Sequence, residues 1–180
     1  MRKIVLTFGL IAGAILSAMM LITLPFHDQI GFGDTGLIIG YTTMVCAFLM
    51  VFFGVRSYRD NVAGGSVKFG RAFAVGLMIT LIASACYVAT WEVIFFKISP
   101  DFVDKYSAYT LEKAKQSGAT DAQIAEQTRQ MAEFKEAYKN PFVNIAYTLL
   151  EPLPVGLLFT LVAAGVLSRK RRAEGGATLA

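Results

Sequence analysis

Four ionisable side chains in this 180-residue sequence stand within or directly beside long apolar runs. Glu92 and Glu151 each lie inside a run, and His27 and Asp28 follow the end of another. An acid inside a membrane-spanning helix is costly and by default marks a pathway for ions or protons. The four residues could form an outward-facing cluster that binds a cation or passes protons. The simpler interpretation, which we prefer, is that the acids reach the headgroup water or pair with Lys97.

The scarcity of other reactive side chains argues against most enzyme classes. His27 is the only histidine, which excludes a two-histidine haem or zinc site within one chain. Cys46 and Cys86 lie in the middle of apolar runs without a Cys-x-x-Cys pair, so we interpret them as reduced packing residues. Gly64 and Gly65 lack the flanking signature of a phosphate-binding loop and predict a flexible turn. The sequence therefore predicts no cofactor and no enzymatic activity.

The elements that carry these residues are predicted membrane spans. Hydrophobic residues make up 55% of the chain and charged residues 17%. A helix needs about 20 apolar residues to cross a bilayer, and four runs meet that requirement, at residues 4–24, 36–55, 72–96 and 142–168. A cleaved signal peptide is the alternative for the first run, but the run is too long and no Ala-x-Ala site follows it. The chain is therefore predicted to be all-α, a single membrane domain over residues 1–180 with a bundle of four transmembrane helices.

Basic residues near the spans predict the orientation of the bundle, because Lys and Arg beside spans are retained on the cytoplasmic side. They are concentrated between the second and third runs and after the fourth: Arg56, Arg59, Lys68, Arg71, Arg169, Lys170, Arg171 and Arg172. We therefore predict an inner (cytoplasmic) membrane protein with both termini in the cytoplasm. The net charge of +4 is explained by this orientation signal and predicts no nucleic-acid partner.

The connection between the third and fourth runs, about residues 99–139, predicts an amphipathic helical hairpin outside the membrane. A Ser-Pro-Asp helix start begins at Ser99, Gly118 ends the first helix, and Thr120 with Gln123 forms a capping box for the second. Each helix has one apolar stripe, formed by Phe102, Tyr106 and Tyr109 in the first and by Ile124, Met131, Phe134 and Tyr138 in the second. The stripes predict packing within this protein, with a partner protein as the alternative.

Small residues recur at four-residue intervals in all four runs, a spacing that lets helix backbones approach closely in lipid. The stripes are Gly9, Gly13 and Ser17; Gly36 and Gly40; Ala72, Gly76, Thr80 and Ser84; and Gly156, Thr160 and Ala164. They predict a tight bundle. The same faces could also form a homo-oligomer, and the spacing alone does not divide them between these two uses.

Pro152 and Pro154 predict a break or kink near Glu151, because proline removes a backbone donor and disfavours helix in the residue before it. Broken helices line the sites of many transporters. We interpret this break as an ordinary helix start near the outer end of the span.

Three segments resemble a known family: Phe53–Asp60, Gly64–Phe73 with the run that follows it, and Pro154–Leu158. The sequence resembles the bacterial membrane family known as domain of unknown function 4199. That resemblance implies a small four-span inner-membrane protein with a helical insertion on the outer side. It implies no activity and carries over no functional residues.

Two classes of function stay open at the level of the sequence. The first is a non-enzymatic membrane protein whose hairpin or cytoplasmic loop docks a partner, beside its contacts with the lipid bilayer. The second is a small ion- or proton-coupled transporter that uses Glu92 and Glu151. An enzyme acting on lipid would need polar residues that the sequence does not show.

Overall fold

A computed structural model describes residues 1–26 and 32–168 of the chain as an all-α protein, and these residues contain no strand. The helices are α1 (Arg2–Thr23), α2 (Asp34–Asn61), α3 (Phe69–Val93), α4 (Phe102–Gln116), α5 (Asp121–Tyr138), α6 (Pro141–Leu149) and α7 (Pro152–Leu167). A short 3-10 turn at Leu24–Phe26 continues α1, and a π-helical turn at Ile94–Ile98 continues α3.

Among the described residues, four segments are long and apolar enough to cross a membrane: Arg2–Phe26, Asp34–Asn61, Phe69–Ile98 and Pro141–Leu167. They match the four predicted runs and confirm their number. The second helix is longer than its apolar run, which ends at Val55. Beyond that point Arg56 and Arg59 both pair with Asp60, at 3.7 and 2.7 Å, in the polar last turns of the helix.

The fourth span is interrupted at Glu151, as the prolines predict. Helix α6 ends at Leu149, and α7 begins with Pro152 as its first residue. Because proline has no backbone N–H, Pro152 and Pro154 cannot donate to the carbonyl oxygens four residues earlier. The break places the Glu151 side chain between two helical segments of one span.

Three of the four small-residue stripes are used inside the bundle, where α1 packs against α3 and α3 packs against α7. A Cβ atom at Gly13 would lie 2.6 Å from the Cβ atom of Cys86, and one at Gly156 would collide with the side chain of Thr80. The second stripe differs, because a Cβ atom at Gly40 would meet nothing within 4 Å. The tertiary structure thus assigns the first, third and fourth stripes to internal helix contacts.

Two buried hydroxyl groups between α3 and α7 are paired across the contact. The Thr80 hydroxyl lies 3.1 Å from the Thr160 hydroxyl and 3.2 Å from the carbonyl oxygen of Gly156. Both threonines are fully buried, beside an apolar core that includes Phe48 and Ile79. The pairing satisfies hydroxyls that would otherwise be costly in an apolar interior.

The connection between the third and fourth spans forms α4 and α5, which contact each other through an ion pair between Asp104 and Lys135. The capping box at Thr120 is present, with both reciprocal hydrogen bonds to Gln123. The predicted helix start at Ser99 is wrong by two residues: Asp101 occupies the N-cap position of α4. The reason is that the π-helical turn continues the third span, so that the Ser99 N–H donates to the carbonyl oxygen of Ile94.

Candidate functional site

A cavity of about 480 Å³ lies at the end of the bundle where α4 and α5 are placed. We call it the aromatic cavity, because its described lining residues include seven aromatic side chains: Phe32, Tyr87, Phe102, Tyr106, Phe134, Tyr138 and Tyr147. Aliphatic residues of α1 and α2, among them Met20 and Leu37, form the rest of the wall together with Gly36 and Gly40. Glu151 is the one acidic or basic residue among the described lining residues.

The apolar stripes of α4 and α5 explain why so many rings meet there. Phe102 and Tyr106 stand one helical turn apart on α4 and pack edge-on against Phe32, with ring centroids 5.3 and 5.4 Å apart. On α5, Phe134 packs against Tyr147 of α6 at 5.5 Å. Of the seven residues in the predicted stripes, four line the cavity: Phe102, Tyr106, Phe134 and Tyr138.

Glu151 occupies the helix break at the wall of this cavity. The Tyr87 hydroxyl donates a hydrogen bond of 2.5 Å to Glu151 Oε2. The Glu151 side chain is exposed, and no lysine or arginine among the described residues lies within ion-pair distance of it. The carboxylate thus faces an apolar, aromatic space without a counter-charge from the described chain.

A second cavity of about 270 Å³ adjoins the first and shares Glu151, Tyr87 and Phe102 with it. Its wall adds Trp91 and Thr148, among other residues. Glu151 therefore borders both spaces, and the two together form a site larger than either.

A hydrogen-bond network joins the third span, α5 and α6 beside these cavities. The Trp91 indole N–H donates to the Tyr138 hydroxyl at 3.1 Å, and the Tyr138 and Thr148 hydroxyls are 3.4 Å apart. Thr148 donates in turn to the fully buried Asn144 at 3.2 Å. Burial raises the pKa of the Tyr138 hydroxyl, while its hydrogen bonds with Thr148 and Trp91 act in the opposite direction.

Glu92, the second predicted acid, is absent from the described walls of both cavities. Its Oε1 atom is buried and has no hydrogen-bond partner among the described residues. His27 and Asp28 lie outside the described residues. The structure therefore brings one of the four predicted residues, Glu151, into the aromatic cavity, and the four-residue cluster stays a prediction.

Of the basic residues that predict the orientation, four lie in the described part of the chain and four lie outside it. Arg56 and Arg59 lie in the last turns of α2, and Lys68 is the N-cap residue of α3. They stand at the opposite end of α2 from Gly36 and Gly40, which line the cavity. Arg71 lies in the first turn of α3 at that same end, and Arg169, Lys170, Arg171 and Arg172 lie outside the described residues.

The residues that the sequence did not single out are the rings of the third span. Tyr87, Trp91 and Phe95 follow one another at four-residue intervals on one face, a signal that was available in the sequence. The sequence did not show that these rings border a cavity, because the cavity depends on where α4 and α5 pack.

In the described parts of the chain, no group of three or more His, Cys, Asp and Glu side chains is arranged to hold a metal ion.

Comparison with known proteins gives one match. The family described as "Protein of unknown function (DUF4199)" matches residues 7–169, which is most of the chain and includes every described residue of the aromatic cavity. No curated protein and no solved structure matches the chain. With its four apolar helices and this extended match, the chain belongs to the DUF4199 family of proteins of unknown function.

Proposed function

We propose that this protein is a non-enzymatic, multi-pass protein of the bacterial inner membrane that binds a small amphipathic molecule in the aromatic cavity. The observation that carries the proposal is a cavity of about 480 Å³ lined by rings, with a single carboxylate at the helix break. Small-molecule sites commonly have volumes of about 300–1,000 Å³ and an apolar wall with few polar groups. The aromatic cavity has both properties.

The proposed orientation places both termini and the connection between α2 and α3 in the cytoplasm. It rests on the basic residues of that connection, such as Arg56 and Arg59. The hairpin formed by α4 and α5 then lies on the outer side, and the aromatic cavity lies at the outer ends of the spans. A ligand reaches it from the outer aqueous phase or from the outer leaflet.

Docking of a partner protein through the apolar stripes of the hairpin has less support. Phe102 and Tyr106 contact Phe32, and Phe134 contacts Tyr147, so that these stripe residues are used within the chain. The small-residue faces have less support as an oligomer interface for the same reason, since three of the four pack inside the bundle.

The coupled transporter is the second candidate, and one observation favours it. Glu151 sits at an interruption of a span, the arrangement that many carriers use to place an ion site. A transporter that uses both acids also needs Glu92 in the aromatic cavity, and Glu92 lies outside the described walls of that cavity. Ligand binding by the cavity needs no such second acid.

Photolabelling with a small neutral probe tests the proposed function. We expect 3-trifluoromethyl-3-phenyldiazirine to enter the aromatic cavity of the detergent-solubilised protein and to label the α4 peptide that carries Phe102 and Tyr106. Gly40→Trp should reduce this labelling at least fivefold, because position 40 lines the cavity and has open space for a side chain. Labelled peptides are quantified by mass spectrometry.

The matched control is Gly165→Trp, at a position on α7 that also has open space but lies outside the described cavity walls. It should leave labelling of the α4 peptide unchanged. Equal labelling of this peptide in the wild type and both variants would overturn the proposal.

A further inference from the structure

The charge of Glu151 is the feature of the aromatic cavity that the proposed function leaves unexplained. Among the described residues only the Tyr87 hydroxyl donates to this carboxylate, and it occupies Oε2. The other carboxylate oxygen is left for a ligand. The described walls of both cavities contain no lysine or arginine that could neutralise the charge.

The surrounding rings favour a particular kind of counter-charge. The face of an aromatic ring attracts a cation within about 6 Å of its centre, most strongly where water is excluded. Tyr87, Tyr138 and Tyr147 border the cavity together with the carboxylate. The carboxylate and these rings border one cavity, so a ligand with a cationic group and an apolar body can contact both.

A calcium or magnesium ion fits this site poorly. Calcium takes about six to eight oxygen ligands, and magnesium demands an octahedral set. The aromatic cavity offers one carboxylate amid carbon-rich walls, and no described cluster of three or more acidic, His or Cys side chains could complete a metal site. An organic cation requires fewer oxygen contacts and gains from the apolar wall.

We infer that the aromatic cavity binds an organic ammonium ion that has an apolar substituent. The ammonium group lies against Glu151, and the apolar body lies among the rings of Phe102, Tyr106 and Phe134. This inference rests on the proposed function, because it assigns a ligand class to the same cavity. The ammonium group belongs either to a free amine or to the amine headgroup of a lipid.

A matched pair of probes tests the charge. Phenethyltrimethylammonium and its neutral carbon isostere, (3,3-dimethylbutyl)benzene, have nearly the same shape and differ in charge. Each is titrated into the full-length protein in a neutral maltoside detergent, and binding is measured by isothermal titration calorimetry against detergent alone. We expect the ammonium probe to bind with a stoichiometry of one and a dissociation constant at least tenfold below that of the isostere.

Substitution of the acid supplies the second measurement. Glu151→Gln keeps the side-chain shape and should weaken binding of the ammonium probe at least tenfold, with little effect on the isostere. Glu112→Gln removes an exposed acid of α4 outside the described cavity walls and should leave both affinities unchanged. Equal affinity of the two wild-type probes would overturn the inference even if Glu151→Gln failed to fold.

The source of the ammonium group is resolved by competition. Addition of phosphatidylethanolamine, but not phosphatidylglycerol, displaces the probe if the natural ligand is a lipid headgroup, and neither lipid displaces it if the ligand is a free amine. Displacement by phosphatidylglycerol as well would contradict recognition of an ammonium group.

Failure of this inference can be told apart from failure of the proposed function. If photolabelling by the neutral probe depends on Gly40 while the two titrated probes bind equally, the cavity binds small molecules but the ammonium assignment is wrong. If the photolabelling is also unchanged by Gly40→Trp, the proposed function itself is overturned.

Discussion

Single residues decide the character of the site through their local surroundings. Glu151 is exposed at the wall of the aromatic cavity and accepts a hydrogen bond from the Tyr87 hydroxyl. Glu92 has the same side chain but holds one buried oxygen without a hydrogen-bond partner among the described residues. Two glutamates that look alike in the sequence therefore have different surroundings and different capacities to meet a ligand.

Tyr138 is the residue whose loss should be felt most beside the cavity. Tyr138→Phe removes the acceptor of the partly buried Trp91 indole N–H, which should cost about 1 kcal/mol, the lower end of the range for a buried donor left unsatisfied. We expect a lower midpoint of thermal unfolding in detergent at pH 8. The matched control is Tyr147→Phe, whose side chain is about half exposed, and it should have a smaller effect.

The difference in stability between the wild type and Tyr138→Phe should depend on pH. Because burial raises the folded-state pKa of Tyr138, its contribution to stability is present below the ordinary tyrosine pKa of about 10 and is lost as the pH rises through the folded-state value. The stability advantage of the wild type over Tyr138→Phe should therefore shrink above about pH 10. Thermal unfolding from pH 8 to 11 measures it, and a constant difference over that range would contradict the assignment.

At the scale of elements, the break between α6 and α7 and the close contact between α3 and α7 determine where Glu151 lies. The prolines end the hydrogen-bond ladder, and Gly156, about one turn later, lets α7 approach Thr80 of α3. Tyr87 lies two helical turns beyond Thr80 on the same helix, and there it donates to Glu151. A proline break and a glycine contact together bring the carboxylate and the hydroxyl into hydrogen-bond distance.

Gly156→Leu should therefore damage both the bundle and the site. A side chain at this position collides with Thr80 and would lie 2.9 Å from a ring carbon of Phe48, so α7 must move away from α3. Overpacking of this kind commonly costs about 1–3 kcal/mol. We expect a lower thermal midpoint and weaker binding of the ammonium probe. Gly165→Leu, where a Cβ atom meets nothing within 4 Å, should change neither; similar effects from both variants would contradict the contact.

At the scale of the whole molecule, the two ends of the bundle differ in composition. One end holds the aromatic cavity beneath α4 and α5, and the other holds the basic connection between α2 and α3. Since positive charge is retained in the cytoplasm, the cavity end faces outward in the proposed orientation. A binding site that opens on the outer side suits a ligand taken from outside the cell or from the outer leaflet.

Cysteine labelling tests this orientation. In a variant with Cys46 and Cys86 replaced by alanine, Gln116→Cys on α4 and Ser66→Cys in the basic connection each introduce one exposed thiol. A membrane-impermeant maleimide should label Gln116→Cys in intact spheroplasts and label Ser66→Cys only after permeabilisation. The reverse pattern would show the opposite orientation. Labelling of both thiols in intact spheroplasts would contradict the prediction that the α4–α5 hairpin and the α2–α3 connection lie on opposite sides of the membrane.

Composition and local patterns predicted much of the fold. Four apolar runs, each long enough to cross the hydrocarbon core of a bilayer, predict four spans, and Thr120 with Gln123 predicts a helix start, because these signals act within a single helix. The same holds for the break before Pro152. The start of α4 was misplaced at Ser99 because the π-helical turn of the third span, which continues to Ile98, is not signalled by hydropathy.

The site itself was decided by tertiary structure. The sequence by itself determined that Glu92 and Glu151 lie in apolar runs and that α4 and α5 carry aromatic stripes. Only the packing of the helices placed Glu151 in the aromatic cavity and left Glu92 outside its described walls. The physical reason is distance along the chain: Tyr87 and Glu151 are 64 residues apart, and their contact depends on how whole helices pack rather than on any local pattern.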